Sequence, residues 1–428
     1  MGSSRLVLAV GLGVCSLATQ AATGADSGSS AWLLVATGLV LFMTLPGLAF
    51  FYGGLVRSKN ALSIMMQCLA ITCSVSLLWF ACAYGFAFGD GGAWNAWIGT
   101  GKAWLAGVGR QSVAGEIPET VFLMFQMTFA IITPALIIGA YAERMKFSAV
   151  LVFSLAWFLL AYVPVCHWVW GKGWLAALGV LDYAGGIVVH VNAGAAALVA
   201  AIVVGRRKGF PEQAMPPHNM TLVVAGASML WVGWFGFNAG SALAANGDAG
   251  MAMLCTHLSA AAGALAWMAL EWRRYGKPSV LGLVTGMVAG LGTITPASGF
   301  VGPAAAVIIG LVAGAVCYAA THRLKRVWKI DDSLDVSPVH GVGGVLGSLL
   351  TGVFVAAPLG GRGLADGMSM LQQVGVQALG IAVTAAWSAG VTYLLLKAIQ
   401  RTIGLRVALD DEREGLDLAE HGESAYII

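Results

Sequence analysis

Long apolar runs alternate with short polar segments along almost the whole chain. Each run is close to the roughly 20 residues that a helix needs to cross a lipid bilayer. The pattern therefore predicts an all-α integral membrane protein with eleven transmembrane helices. The predicted spans are 31–53, 61–88, 119–141, 148–169, 184–204, 220–241, 251–271, 279–298, 300–320, 335–356 and 373–398.

The N-terminal segment has the pattern of a cleavable secretory signal. Arg5 precedes an apolar run over 6–17, and small residues follow over 19–25. Such a run is too short to span a bilayer comfortably, and its flanks match those of a signal peptide. We therefore expect residues 1–25 to be removed, which would leave the mature N-terminus outside the cell.

A lipoprotein signal is an alternative interpretation of the same segment. Cys15 lies in the apolar run, but Val14 is a poor residue to precede a lipidated cysteine. The secretory interpretation leaves a membrane domain at 26–400 and a C-terminal tail at 401–428.

Composition agrees with a membrane protein. Of the 428 residues, 58% are hydrophobic and 10% are charged, whereas soluble domains carry about 25% charged residues. The 58 glycines suit close packing of membrane helices. The seven cysteines show no metal-ligand spacing and fall mostly in apolar runs. We interpret them as small buried hydrophobic residues and expect neither a metal nor a cofactor.

Basic residues fall almost entirely on one side of the predicted membrane. Every basic cluster follows an odd-numbered span, and the clusters hold 18 lysines and arginines against four on the other side. The positive-inside rule then places the N-terminus outside and the C-terminus in the cytoplasm. The clusters are Arg57/Lys59, Arg144/Lys146, Arg206/Arg207/Lys208, Arg273/Arg274/Lys277, Arg323/Lys325/Arg326/Lys329 and Lys397/Arg401/Arg406/Arg413.

Two similar segments indicate an internal repeat. Residues 185–194 in span five and 337–344 in span ten both combine glycines, valines and a histidine, and we pair Asp182 with Asp335 upstream of them. Two units of five spans have opposite orientations, because five is an odd number. The fold predicted is an inverted five-plus-five repeat with a final helix.

The histidines of these segments are candidate functional residues. His190 and His340 lie in apolar spans with no acidic residue within one helical turn. A structural histidine bonded to a neighbouring helix would explain either one alone. Matching positions in inverted repeats instead predict that they meet near the membrane centre. Because burying an unpaired ion is costly, such a passage favours a small neutral polar solute.

Asp182 has two interpretations, which are compatible. It precedes the predicted helix as an N-cap residue would. It could also be a buried carboxylate that shapes a cation site above the passage. On a continuous helix it lies about 12 Å from His190, which argues against direct contact.

Aromatic residues converge on the predicted outer side. Phe125 and Phe129 are one helical turn apart, Trp170 ends span four, and Phe237 and Ser241 close span six. Single aromatic residues at such positions are mostly membrane anchors. Together they could form a cage for a cation, with a hydrogen bond from the serine and a phenylalanine pair blocking the path below.

Several motifs in order resemble the ammonium transporter (Amt/Mep/Rh) family, on its bacterial Amt branch. The resemblance covers essentially the whole mature chain. The segments are 46–54 (PGLAFFYGG), 142–147 (AERMKF), 182–190 (DYAGGIVVH), 234–241 (WFGFNAGS), 335–341 (DVSPVHG), 412–417 (EREGLD) and 421–423 (HGE).

The resemblance implies a transport channel in the cell (inner) membrane that recruits ammonium outside and conducts ammonia for nitrogen uptake. It implies a homotrimer with one pore per subunit. It also implies a tail that docks under neighbouring subunits, where the alternative is a solvated acidic tail. A PII-type signalling protein would plug the cytoplasmic mouth near the loop carrying Lys277.

The resemblance also assigns roles to individual residues. The implied external ammonium site consists of Trp170, Phe125 and Ser241, and Asp182 matches an acidic residue needed for conduction. The remaining four residues match the phenylalanine gate and the twin-histidine pair of the family. They are Phe129, Phe237, His190 and His340.

Three other classes of protein fit the sequence less well. An intramembrane enzyme would need zinc-type histidine spacing, a Ser–His–Asp order or paired carboxylates within spans. A sensor that binds ammonium without conducting it usually has an appended signalling domain, and the tail after residue 400 is short. A sodium-coupled transporter would need broken helices and acidic side chains at mid-membrane.

Overall fold

The computed structural model describes residues 24–426, so the predicted signal at 1–25 lies almost entirely outside the described residues. Within this range ten helical segments are long and apolar enough to cross a membrane, and an eleventh apolar helix is shorter. The segments are α1 (Ser27–Leu55), α2 (Ser58–Phe88), α3 (Glu119–Tyr141), α4 (Phe147–Ala177), α5 (Gly186–Val204), α6 (Met220–Gly240), α7 (Gly247–Tyr275), α8 (Val280–Ile294), α9 (Pro303–Val327), α10 (Ser337–Phe354) and α11 (Met370–Thr402).

The all-α membrane architecture is therefore confirmed. The helix that falls furthest short of its predicted length is α8, which has 15 residues and ends before the predicted 298, because the chain continues as turns through Phe300. A helix of this length rises about 23 Å, less than the roughly 30 Å hydrocarbon core of a bilayer. Helix α4 instead extends to Ala177, beyond the predicted 169.

Short elements mark the two ends of the helical bundle. Strands β1 (Val113–Ala114) and β2 (Ile117–Pro118) form an antiparallel hairpin between α2 and α3. Helices α12 (Leu409–Glu414) and α13 (Leu416–His421) follow α11. We name the end with the hairpin the hairpin face and the end with α12 and α13 the tail face.

Polar residues just before the helices determine where several of them begin. The side chains of Asp26, Asn219, Asn246, Ser279 and Ser369 accept hydrogen bonds from the first-turn N–H groups of α1, α6, α7, α8 and α11. These bonds satisfy donors that lack partners within the helix. The polar segments between the apolar runs thus define the helix starts.

Helices α5 and α10 cross in close contact at the centre of the bundle. A Cβ atom added at Gly194 would lie 2.1 Å from the Cα of Gly341, and one at Gly344 would lie 2.8 Å from the carbonyl oxygen of Gly186. Gly194 and Gly344 each follow a histidine by four residues. The crossing therefore has the same construction from both sides, as expected for two related halves.

Both crossing segments begin with a π-helical turn. The turns cover Gly186–Val191 and Ser337–Gly341, and each contains its histidine. A π turn widens the helix locally and is frequently found at functional sites. Sequence periodicity did not predict these turns.

The expected pairing of Asp335 with Asp182 is wrong. Asp182 and Asp332 each precede their histidine by eight residues. The Asp332 carboxylate accepts the N–H groups of Val336 and Ser337 at the start of α10, as Asp182 does at the start of α5. Asp335 instead has a positive φ of 62° and forms an ion pair with Lys325.

Candidate functional site

The centre of the site is a pair of facing histidines. The Nδ1 atoms of His190 and His340 are 3.2 Å apart, and the two rings are nearly parallel with centroids 5.2 Å apart. Both side chains are buried, with exposed fractions of 1% and 5%. The close crossing of α5 and α10 brings together two residues that are 150 positions apart in the chain.

The hydrogen bond between the two histidines determines what they offer to a third molecule. One Nδ1 must donate and the other must accept, so at least one ring is neutral. When both rings are neutral, one Nε2 is an acceptor and the other is an N–H donor. The Nε2 of His190 is buried and has no hydrogen-bond partner in the described chain. It is therefore available to a small polar molecule.

Trp234 extends the histidine pair into a stack of three rings. Its ring lies 5.6 Å from that of His190 at an interplanar angle of 24°. Its indole N–H donates to the Thr295 hydroxyl over 2.9 Å, which fixes its orientation. We did not assign Trp234 a role from the sequence. The sequence does place Trp234 three residues before Phe237, and this spacing puts both rings on one face of the helix.

Two phenylalanines lie on the hairpin side of this stack. The rings of Phe129 and Phe237 are 4.2 Å apart, and each side chain is 1% exposed. The Phe237 ring is 6.2 Å from that of His190, and Trp170 meets Phe129 edge-on at 5.6 Å. The phenylalanine pair thus separates Trp170 from the histidines.

A vestibule of about 750 Å³ opens at the hairpin face above the phenylalanine pair. Trp170, Phe122 and Tyr84 contribute rings to its wall. Glu119 supplies a carboxylate that accepts a hydrogen bond from Tyr84 and pairs with Lys102. Aromatic faces and a carboxylate are groups that attract cations.

Asp182 positions the backbone around Trp170. Its two carboxylate oxygens accept the N–H groups of residues 185–188, at 2.6 to 2.9 Å. Its backbone carbonyl accepts the Trp170 indole N–H over 2.9 Å. These are the contacts of a residue that caps the start of a helix. Since both oxygens are bound to the start of α5, the carboxylate acts on the site through the backbone.

Phe125 and Ser241 lie beside the vestibule wall. Phe125 is fully buried, 5.1 Å from the Phe129 ring, and packs under Gly240. The Ser241 hydroxyl donates to the Phe237 carbonyl over 2.9 Å and is only half-buried. Of the three residues expected to form the external site, only Trp170 lines the vestibule itself.

The path beyond the phenylalanines is narrow and then widens. A space of about 10 Å³ touches Phe237, Trp234 and both histidines, with otherwise apolar walls except for Tyr52. This is the smallest space that holds one water-sized molecule. A second cavity of about 220 Å³ begins at His340 and leads toward the tail face. The histidines thus occupy the narrow part between two wider spaces.

Charged side chains join four loops at the tail face. Arg207 pairs with Asp331 at 2.8 Å and with Glu143 at 2.7 Å, and Arg57 contacts the same glutamate at 2.9 Å. Burial alone would raise the pKa of Glu143, but the charges of Arg207 and Arg57 outweigh it and hold this pKa below its ordinary value. The pKa of Asp331 is lowered in the same way, chiefly by Arg207 against the opposing effect of burial.

The described part of the tail is docked against the bundle of its own chain. Asp417 is 1% exposed and accepts the N–H groups of Leu62 and Ser63 near the start of α2. Glu412 is 2% exposed and accepts the N–H group of Lys208, in the loop after α5, over 2.7 Å. The alternative of a fully solvated tail is therefore wrong for this segment.

Comparison with known proteins gives matches over nearly the whole chain. A family model described as Ammonium Transporter Family matches residues 31–426. An ammonium transporter of Aquifex aeolicus (strain VF5) is 46% identical over 404 residues, which cover 94% of each chain. The chain is thus similar to this relative along the membrane domain and the tail.

Two solved structures with the same fold carry different descriptions. One, described as a Sensor Amt Protein, has a TM-score of 0.85 at 33% identity and covers 92% of this chain and 98% of its own. The Mep2 crystal structure from Saccharomyces cerevisiae has a TM-score of 0.82 at 38% identity, covering 91% and 89%. The fold and the sequence therefore lead to the same group of proteins.

Proposed function

The chain belongs to the ammonium transporter family, whose members are not enzymes, and from this premise we propose how it carries its substrate. Ammonium is recruited at the hairpin face, gives up a proton, and crosses the narrow passage as ammonia. The observation that carries this proposal is the buried pair of His190 and His340 in a passage with almost wholly apolar walls. The physiological role would be nitrogen uptake.

Recruitment would occur in the vestibule, at the wall that contains Trp170. An ammonium ion there is attracted by aromatic faces, and the vestibule lining has three carboxylates against two lysines, one of which pairs with Glu119. Phe125 would support the ring of Phe129, and Ser241 would offer its hydroxyl when the ion enters. Asp182 would hold Trp170 in place through its carbonyl. Phe129 and Phe237 would part transiently to admit one molecule.

Loss of a proton to solvent water in the open vestibule would precede passage along the histidines, and the proton would either stay outside or cross by a separate route. The passage provides no carboxylate to compensate a cation, and its small volume excludes a hydrated ion. Ammonia is neutral and can both donate and accept a hydrogen bond, so it complements the two Nε2 positions. Potassium has a size similar to that of ammonium but has no proton to give up. Selectivity would follow from this difference.

A transport assay with a paired substitution tests the proposal. We would reconstitute wild type and His190→Ala/His340→Ala in vesicles and record the internal pH and the membrane current after an ammonium pulse. His322→Ala, near the tail face, is the matched control. We expect the double variant to lose at least tenfold in flux or its selectivity over potassium. Unchanged flux and selectivity in a folded double variant would contradict the proposal.

A sensor is the second candidate function, because one of the matched structures is described as a Sensor Amt Protein. A sensor would bind ammonium in the same vestibule without net passage. The same vesicle assay separates the two functions. Binding of ammonium to the wild-type protein with neither flux nor current would favour the sensor.

The family resemblance also supports a homotrimer, and His257 is consistent with it. This histidine lies ten residues into α7, about 15 Å along the axis and hence near mid-membrane. It is exposed on the bundle surface beside Trp231, and its ring has no hydrogen-bond partner among residues 24–426. Lipid tails cannot satisfy an imidazole, so we propose that α7 faces a second copy.

The tail face would be cytoplasmic and would receive a PII-type signalling protein. The distribution of basic residues supports this orientation. The inner cavity is lined by Glu271 and Gly282, which flank the exposed loop carrying Lys277. A protein bound to that loop would lie at the mouth of the cavity. Two reporters fused to the C-terminus test this orientation: one that is active only in the cytoplasm and one that is active only outside the membrane. We expect activity from the first, and activity from the second would contradict the orientation.

A further inference from the structure

A lysine side chain enters the vestibule and places an ammonium group on its wall. Lys102 lies in the segment between α2 and the β-hairpin, and its Nζ pairs with the carboxylate of Glu119. The same Nζ lies 5.4 Å from the centre of the Tyr84 ring. A carboxylate and an aromatic face are also the groups that attract an ammonium ion. The lysine head group, which is itself a substituted ammonium ion, therefore occupies a position that the substrate could use.

The acceptors on this part of the wall are buried and oriented. The Glu119 side chain is 7% exposed, and its Oε1 accepts the Tyr84 hydroxyl over 2.8 Å. That hydroxyl oxygen retains lone pairs that can accept an N–H group. The other carboxylate oxygen of Glu119, Oε2, accepts no hydrogen bond from residues 24–426. An incoming ammonium ion therefore meets two acceptors and a ring face beside the lysine head group.

Backbone contacts hold the lysine segment against the end of α2. The Gly99 N–H donates to the Phe86 carbonyl over 2.8 Å. A Cβ atom added at Gly85 would lie 1.9 Å from the carbonyl oxygen of Gly101, so this approach requires a glycine. The segment should therefore keep its position when the lysine head group leaves the carboxylate.

The lysine head group can exchange with another cation. The Lys102 side chain is 34% exposed and faces a vestibule of about 750 Å³, and pairs with one partner this exposed are individually weak. A carboxylate as buried as that of Glu119 is costly to leave without a cation. Because Oε2 is open, an ammonium ion can bind the carboxylate before the lysine has left it. Exchange between the two cations therefore avoids an unpaired buried charge.

We propose that Lys102 is a tethered competitor of the substrate and sets the ammonium concentration at which transport is half-saturated. Ammonium occupies the wall at Glu119 and Tyr84 when the lysine head group swings aside, and it moves from there to the Trp170 side of the same vestibule. The site takes ammonium and small primary alkylammonium ions, because the lysine head group is one of them. This inference rests on the proposed transport function and adds a residue that controls its apparent affinity.

An ion pair that only joins the lysine segment to α3 is the alternative. Loss of such a pair would lower the stability of the protein or its maximal flux. Loss of a competitor lowers the half-saturation concentration without a fall in maximal flux, since the narrow passage at the histidines is not altered. The two quantities therefore separate the competitor from the structural contact.

Ammonium flux into vesicles, measured over a range of ammonium concentrations, tests the competition. Lys102→Asn removes the head group, and asparagine tolerates the positive φ of 52° at this position. We expect the half-saturation concentration to fall about threefold, because the competing pair is partly exposed and therefore weak. Lys102→Arg retains a cation beside the carboxylate and should show no fall.

Lys172→Asn is the matched control. Lys172 lines the same vestibule, is exposed, has a positive φ of 66°, and forms no ion pair within the described part of the chain. Its substitution removes the same charge without vacating Glu119. Sodium chloride at about 0.15 M screens charge effects beyond about 8 Å. Equal falls in Lys172→Asn and Lys102→Asn would overturn the proposal, because net charge alone would then explain both.

Glu119→Gln tests whether the lysine acts through this carboxylate. Adding Lys102→Asn to Glu119→Gln should lower the half-saturation concentration no further, and a full additional threefold fall would overturn the proposal.

A wild-type protein without any flux would contradict the transport function instead of the competition. Calorimetric titration of ammonium chloride onto detergent-solubilised wild type and Lys102→Asn would then decide the role of the lysine. Tighter binding in Lys102→Asn would support the competition, and equal binding would overturn it.

Discussion

Individual side chains show how this protein avoids placing a charge in its passage. His190 and His340 are bonded to each other, so the polar atoms left over are matched to a neutral molecule that donates and accepts. Carboxylates such as Glu119 and Asp335 occur in the spaces on either side instead. The substrate can therefore be charged in the wide spaces and must be neutral in the narrow one.

Asp182 is expected to act as a positioning residue. In Asp182→Ala, four backbone N–H groups at the start of α5 lose their acceptor, and each buried unpaired group costs about 1–3 kcal/mol. We expect the free energy of unfolding to fall by at least about 3 kcal/mol, with a lower thermal midpoint in detergent. Flux should fall too, because the backbone carbonyl of residue 182, which accepts the Trp170 indole N–H, is no longer held in place by the carboxylate.

The control for this prediction is Asp410→Ala, at an exposed position of the tail whose side chain contacts only Arg413 among the described residues. It should leave both stability and flux near the wild-type values. If Asp182→Ala kept the wild-type midpoint and lost flux alone, the carboxylate would instead contact the substrate.

The sequence indicated the central residues at this scale but not all of their neighbours. The histidines were identifiable because an ionisable group in an apolar span is unusual. Trp234 and Asp332 were missed, since an aromatic residue and an aspartate at a helix end have ordinary structural explanations. Only the packing distinguishes Trp234, whose ring stacks on His190, from a membrane anchor.

At the scale of helices, three loops depend on one arginine. Arg207 joins the loop after α5 to Asp331 before α10 and to Glu143 after α3. A buried arginine between two carboxylates is costly to remove, because the carboxylates remain buried. This contact therefore controls how the tail-face ends of the helices are held together.

The Arg207 contact should depend on pH in a predictable direction. Because the folded pKa values of Glu143 and Asp331 are lowered, their stabilising contribution is present at neutral pH. This contribution is lost as the pH falls below about 4, the ordinary pKa of a carboxyl group, and then through the lowered pKa values of the two folded-state carboxyls. Arg207→Ala should reduce stability at pH 7 by about 3 kcal/mol. The difference from wild type should shrink as the pH falls toward 3.

Thermal midpoints of the detergent-solubilised protein between pH 7 and pH 3 would measure this effect. Arg206→Ala, the exposed neighbouring arginine, is the matched control and should show no such difference. A stability loss in Arg207→Ala that stays constant over this pH range would mean that packing, rather than the ion pairs, is what the substitution removes.

At the scale of the whole molecule, one chain by itself forms the spaces of the proposed passage. The described residues of a single chain form a vestibule, a narrow part and an inner cavity in sequence. If copies assemble through α7, assembly should not be required to form the passage. Oligomeric state and transport can therefore be tested separately.

His257→Arg should disrupt the proposed trimer. An arginine in a subunit contact at mid-membrane carries a charge that the facing copy cannot compensate. We expect light scattering in detergent to give three chains for wild type and fewer for the variant. Leu379→Arg is the control, at an exposed position of α11 nine residues from its start. It should cost stability without a change in the number of chains, and a trimeric His257→Arg would contradict the proposed contact.

The sequence by itself determined the membrane architecture, because each apolar run must satisfy its backbone hydrogen bonds as a helix in lipid. It also indicated the repeat and the histidine pair, since both are readable from order and spacing. Only the tertiary structure decided the π turns, the exact partner of Asp182 in the repeat, the ring stack at Trp234 and the docking of the tail. These features depend on packing between segments that are distant in the chain, such as Gly194 with Gly341 or His190 with Trp234, and local sequence does not specify it.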